Sequence, residues 1–162
     1  MEKLFGKNAV FYSLTFFTVV VADLITKKFA EMYLSHRDVT ILPFLHLVLV
    51  YNKGVAFGFL SDAPDFVRVP LVLITPVIAF FITFLYSIRK PDQRTSIIMG
   101  MIGGGAIGNL YDRFFLGYVR DFIYLSYGKL SWPAFNLADA AISVSIFLLL
   151  INSTLGASGK RG

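Results

Sequence analysis

The chain has 162 residues, 56% of them hydrophobic, a mean hydropathy of +0.70, a formal net charge of +5 and no cysteine. A soluble domain is about 45–50% apolar, and one this small has too little interior to hide the excess, whereas a bilayer has room for it. The lack of cysteine excludes disulfides, zinc–thiolate sites, a thiol nucleophile and a lipid carried on this chain's own cysteine.

The basic residues lie beside apolar runs, which points to lipid headgroups and away from nucleic acid. In chain order, residues 9–26 form the first apolar run, broken only by Asp23. Lys3 and Lys7 give it a basic start, but no small-x-small cleavage site follows, so it reads as a retained helix rather than a signal peptide. Residues 27–68 are a long polar stretch. Within it Val39 to Tyr51 is β-branched and aromatic and predicts short strands. Asn52-Lys53-Gly54 supplies a turn before a second apolar piece, Val55 to Leu60. Together these predict a small amphipathic sheet on the membrane surface.

Residues 69–88 form the second run, with Pro70 suited to a helix start and Pro76 to a kink that membrane helices tolerate. Residues 89–95 are a short polar turn. The third run, 96–111, is short and carries Gly103, Gly104, Gly105 and Gly108; the small-xxx-small spacing of Gly104 and Gly108 admits another helix closely. Residues 112–134 form a second polar stretch, read as a loop or short helix, and 135–152 are the fourth run. About 20 residues cross ~30 Å of hydrocarbon as a helix. The runs lack the period-2 alternation of barrel strands, so the fold expected is a membrane all-α domain over residues 1–162, with four transmembrane helices and a small outer sheet. Four spans put both termini and the short turn on one side. Lys3, Lys7, Arg89, Lys90, Arg94, Lys160 and Arg161 crowd that side, while the other eight basic residues are spread over the two longer segments. By density the first side is cytoplasmic, and the longer segments face the periplasm.

Acidic residues within or at the edge of membrane helices are costly and mark function by default. Asp23, Asp112, Asp121 and Asp139 fall at a similar, outer depth. Asn136 and Asp139 share a helix face, with Ser143 one turn on; the competing structural reading is an N-cap and a first-turn acid. Asp121 reads equally as a loop acid paired with Arg120 or Arg113. Asp112-Arg113 reads as an interfacial ion pair, and Asp23 with Lys27 at i, i+4 as an interfacial pair with Lys27 snorkelling. Gly156-Ala-Ser-Gly159 mimics a rhomboid serine motif, but no histidine reaches it, and His36 and His46 lack the spacing of a metallopeptidase helix.

Four blocks in order resemble the lipoprotein signal peptidase (signal peptidase II) family: Asn52-Lys-Gly-Val-Ala-Phe57, Gly104-Gly-Ala-Ile-Gly-Asn-Leu-Tyr-Asp-Arg113, Gly117-Tyr-Val-Arg-Asp-Phe122 and Phe135-Asn-Leu-Ala-Asp139. With Asp23-x-x-Thr-Lys27 they span nearly the whole chain. The departures are Leu24, where the family often has Gln, and Ser145, where it often has Gly. The resemblance implies an aspartyl peptidase with Asp121 and Asp139 as catalytic dyad. It implies substrate-binding or supporting roles for Asn52, Gly54, Asn109, Arg113, Asn136, Asp23 and Lys27, and no metal or cofactor. The implied reaction is removal of the signal peptide from diacylglyceryl-modified prolipoproteins, just before the lipidated cysteine, by a monomer in the bacterial inner membrane. The implied partners are the prolipoprotein and the phospholipid bilayer. Two rivals remain on the residues alone. A small transporter or channel also uses intramembrane acids, but its polar residues run through the full membrane depth, whereas here they gather at one end. A lipid-binding scaffold explains the basic flanks but not the converging acids.

Overall fold

The computed structural model describes residues 2–54, 63–89 and 92–158, and in them four helices and four strands follow in the order α1 (Glu2–Leu34), β1 (Val39–Leu42), β2 (Leu45–Asn52), α2 (Asp65–Arg89), α3 (Gln93–Leu116), β3 (Val119–Tyr127), β4 (Leu130–Phe135) and α4 (Leu137–Ser158). α1, α2 and α3 each contain one of the apolar runs and extend beyond it, whereas α4 starts two residues inside the fourth run, because Phe135 ends β4 and Asn136 precedes the helix. α1 continues two turns past Lys27 because Lys27, Ala30 and Leu34 recur at helical spacing on its buried face. The helical bounds of α3 are set chemically. At its start Asp92 is the N-cap, accepting from the backbone N–H groups of Arg94 and Thr95. At its end Gly117 takes a left-handed φ of 80° and donates its N–H to the Arg113 carbonyl, a conformation that favours glycine. Pro70 and Pro76 both lie inside α2.

The strands join in one antiparallel sheet, β1-β2-β3-β4. The expected strands within 39–51 are β1 and β2. The expected loop or short helix between the third and fourth helices is corrected: past the end of α3 this segment is the β3–β4 hairpin. Its residues, Val119-Arg-Asp-Phe-Ile-Tyr-Leu-Ser-Tyr127, are β-branched and aromatic, and Gly128 turns the chain at φ 60°. The second apolar piece expected at Val55 to Leu60 lies outside the described residues. The sheet rests on the end of α1, where Ala30 and Leu34 pack with Phe122, Leu47 and Leu49.

Burial is inverted relative to a soluble protein. Val10, Leu14, Phe17, Val21, Ile25, Phe29 and Met32 form an exposed apolar stripe along α1, while Asp23, Lys27, Ser87, Ser96, Asp112, Asn136 and Ser145 are fully buried. In water such an exterior would aggregate, whereas in lipid it is the stable arrangement. α1 and α2 are long and apolar enough to cross a membrane by length and composition.

The glycines of α3 let the helices approach closely enough for those polar groups to meet. A Cβ at Gly104 would lie 2.7 Å from the Phe16 carbonyl oxygen of α1, and one at Gly105 2.7 Å from the Ala138 carbonyl oxygen of α4. A Cβ at Gly108 would lie 2.6 Å from Asp23 Oδ2. Gly104 and Gly108 therefore face the same neighbour, α1, as small-xxx-small spacing requires.

Candidate active site

A cavity of about 590 Å³ lies between α2, α3, α4 and the β3–β4 hairpin. Its apolar walls come from Val72, Pro76 and Ala79 of α2, Ile102 and Ala106 of α3, and Ile142 and Val144 of α4; its polar side chains include Asn52, Asn109, Arg113, Asp121, Asp139 and Ser143. One apolar pocket with a few convergent polar groups is the usual form of a binding site.

Asp121 enters this cavity by strand alternation. On β3, Arg120 and Phe122 face α1, where Arg120 Nη1 donates to Glu31 Oε2 at 3.0 Å, so Asp121 points the other way. In the β2–β3 register Asp121 lies opposite Val50, which places Asn52 diagonally beside it on the same face. Asn52 Nδ2 donates to Asp121 Oδ2 at 3.1 Å, and its Oδ1 accepts from the Gly54 N–H at 2.9 Å. One N–H and one lone pair of this amide are thus engaged within the protein, which holds it beside the acid at the cavity wall. Asp121 is almost wholly buried, and burial first, then the Asp139 carboxylate, push it up to about 7. The Asn52 and Asn136 donors oppose that shift.

Asp139 arrives by helix capping. Asn136 precedes α4, its Oδ1 accepts from the Asp139 N–H at 2.9 Å, and Asp139 Oδ2 accepts from the Asn136 N–H at 3.3 Å. This is a reciprocal capping box. The expected cap is thus present, and Asp139 also lines the cavity. Asp139 Oδ1 accepts from Asn109 Nδ2 at 2.8 Å. Asn136 Nδ2 donates to Asp121 Oδ1 at 2.7 Å and to Asn109 Oδ1 at 3.0 Å. Two amides therefore link the two acids, one brought by a strand and the other by a helix.

The remaining expected residues gather around this pair, with three corrections. Asp112 does not pair with Arg113. Adjacent helical residues point about 100° apart; Asp112 is turned to Arg120, accepting from its Nη2 at 2.7 Å, its Nε at 3.1 Å and its N–H at 3.0 Å. Arg113 is turned to the cavity, where its Nη2 donates to the Gly54 carbonyl at 3.0 Å and its buried Nε has no partner among the described residues. Asp121, in turn, bonds to Asn52 and Asn136 rather than to either arginine. Finally, Asp23 and Lys27 do pair, at 2.7 Å, but both are fully buried and the lysine does not snorkel. Asp23 Oδ1 also accepts from the Ala138 N–H at 2.9 Å, tying α1 to the first turn of α4. Sequence reasoning missed Glu31 and Arg120 as the clamp holding β3 to α1, and Val72 and Pro76 as a cavity wall. Pro76, a proline in the middle of an apolar run, was the available signal for the latter.

The family model described as signal peptidase (SPase) II matches residues 15–155. A lipoprotein signal peptidase of Aquifex aeolicus is 55% identical over 152 residues, 93% of this chain and 90% of that protein. One from Sulfurihydrogenibium is 43% identical over 138 residues, 83% and 85% of the two chains, and one from Acinetobacter baumannii is 37% identical over 154 residues, 93% and 86%. Among solved structures, a bacterial membrane enzyme determined by the in meso method superposes with a TM-score of 0.78 at 24% identity, covering 92% of this chain and 90% of the other, and supports the fold.

Proposed function

Because the chain belongs to the signal peptidase II family, a membrane peptidase that removes the signal peptides of prolipoproteins, we propose that Asp121 and Asp139 are the two acids with which it cuts the peptide bond. The observation that carries this reading is the amide bridge: Asn136 holds Asp121, Asn109 holds Asp139, the two amides bond each other, and both acids line one cavity. Neighbouring carboxylates do not both ionise easily, so the pair shares a proton. With Asp121 raised to about 7, it carries a proton in roughly half of the molecules at neutral pH and can serve as the acid of the pair.

The reaction then follows acid–base logic. Asp139 takes a proton from water as the water oxygen bonds to the scissile carbonyl carbon. Asp121 gives its proton to the carbonyl oxygen. On collapse the C–N bond breaks, Asp139 returns its proton to the leaving nitrogen, and Asp121 recovers one from the hydroxyl. Arg113 lines the cavity, and its guanidinium charge is available to the developing oxyanion or to a substrate carbonyl. Gly54 supports Arg113 by accepting from it, and Asn52 supports Asp121. Ser143, one turn along α4 from Asp139 and lining the same cavity, offers a hydroxyl to the bound segment.

We further infer a single domain over residues 1–162, with all four helices spanning the bilayer. We also infer a monomer in the bacterial inner membrane, both termini cytoplasmic and the dyad toward the periplasm. The supports for this reading are the crowding of basic residues at one side and the inverted burial. A reporter fused after Gly162 is expected to behave as cytoplasmic; periplasmic behaviour would reverse the topology. For the activity, the purified protein in detergent is expected to release the signal peptide from a diacylglyceryl-modified prolipoprotein at the bond before the modified cysteine. Cleavage elsewhere, or none, would overturn the assignment of the bond.

A further inference from the structure

Among the described residues, α1 lends none to the cavity wall, yet it buries a cation directly behind it. Lys27 Nζ lies 2.8 Å from Asn109 Oδ1, 2.7 Å from Asp23 Oδ2, 3.5 Å from the Gly108 carbonyl oxygen and 3.6 Å from Asp112 Oδ2. An ammonium has three donors and no acceptor, so any amide set against it must present its oxygen. Asn109 turned over would place its NH₂ group against the ammonium and its oxygen against the Asp139 carboxylate, two repulsive contacts in place of two attractive ones. The direction of this amide is therefore chemically determined, which is uncommon for an asparagine.

The consequence passes along the chain of amides. With Asn109 Oδ1 fixed toward Lys27, its Nδ2 must face Asp139. The same oxygen accepts from Asn136 Nδ2, whose second N–H faces Asp121 and whose oxygen accepts from the Asp139 N–H. One cation outside the cavity thus sets the polarity of both amides and the donors met by both carboxylates.

We propose that Lys27 is a positioning residue for the cleavage reaction, acting through Asn109 and Asn136 to hold both acids of the dyad, and is not only half of a buried ion pair that ties helices together. This rests on the assignment of Asp121 and Asp139 as the dyad. Cutting Lys27 alone leaves Asp23 buried and uncompensated, which is costly whatever Lys27 does for the reaction. The test therefore removes both charges. D23N/K27M and D23N/K27Q are equally neutral and close in volume at position 27, and differ in that glutamine carries N–H donors for Asn109. Signal-peptide release from a lipid-modified prolipoprotein is measured for both in the same detergent, with melting temperatures alongside. The expected result is a kcat at least about tenfold higher for the glutamine pair, at equal KM and similar melting temperature, because misorientation of catalytic groups costs up to about 10²-fold. Equal kcat values, or a difference confined to KM or to melting temperature, would overturn the proposal.

If neither pair folds, N109L serves instead. It removes, without adding a charge and at similar size, the amide through which Lys27 reaches both acids, so retained kcat overturns the proposal and a loss of kcat at unchanged KM supports it. The dyad assignment is judged separately by Asp121→Asn and Asp139→Asn: normal turnover there sinks that reading, whereas inactive dyad variants with equal position-27 pairs sink this inference alone.

Discussion

Asparagine in place of either Asp121 or Asp139 is expected to lower signal-peptide release by about 10³-fold or more while the protein still folds, since each acid moves a proton that an amide cannot and such transfers contribute up to about 10⁴-fold each. Folding should survive because the hydrogen bonds that hold these side chains are ones in which they accept. At position 121 an asparagine oxygen still accepts from Asn136 or Asn52, and at position 139 it still accepts from Asn109, with the backbone bond to Asn136 Oδ1 intact. The Asp121→Asn change also replaces a buried group whose charged form is disfavoured there with a neutral one. The wild-type pH profile carries a further expectation. The folded-state value of Asp121 is raised to about 7, so its proton is present below that and lost above it. Turnover should therefore fall as pH rises through about 7. Measured rates that stay flat from about pH 6 to about 9, a range that brackets the Asp121 titration, would remove Asp121 from the role of proton donor. Near-normal turnover by either asparagine variant would remove the dyad itself.

Much of this site is legible in the sequence, for identifiable reasons. Asn136 and Asp139 are local: their i, i+3 spacing at a helix start dictates both the cap and the shared face, and the capping box is present. Gly104 and Gly108 are similarly local, and the closeness of α1 follows from the missing side chains. What was not legible is non-local or masked by motif reading. The β3–β4 hairpin reads as a loop because its charged residues, Arg120 and Asp121, look solvent-facing until Glu31, Asp112 and the asparagines arrive from elsewhere in the chain. Lys27 looks like an interfacial snorkelling lysine because its other partners, Asn109 and Asp112, are more than eighty residues away. Asp112-Arg113 misleads for the opposite reason, since neighbours in sequence point apart on a helix. The end of α1 is a case where the signal was present: Lys27, Ala30 and Leu34 keep helical spacing into what reads as a polar stretch.

The second large effect concerns the lipid on the substrate. A precursor lacking its diacylglyceryl group is expected to be cut at least about 10²-fold more slowly than the modified one. The proposed dyad, Asp121 and Asp139, sits where β3 meets the start of α4, and the cavity continues from it between helices, past Val72, Ala79 and Ile142. Val144, which also lines it, is half exposed, as are Ile146 and Phe147 further along the same helix. A bond reaching Asp121 and Asp139 must therefore be held at one depth, with its signal helix beside these walls. A bare cysteine sets no depth. Acyl chains do, since each buried methylene contributes about 0.8 kcal/mol and two chains together make an anchor that one chain does not. Fixing the height of the bond converts a search over depth and orientation into a local approach to water and the two carboxylates, and that entropy is a barrier term, so the effect should appear in kcat as well as KM. The comparison requires both precursors in one detergent, with the same signal sequence. Equal rates would rule out the anchor and leave the peptide sequence alone to select the substrate. A difference confined to KM would reduce the lipid to a general membrane tether, with no part in presenting the bond to the dyad.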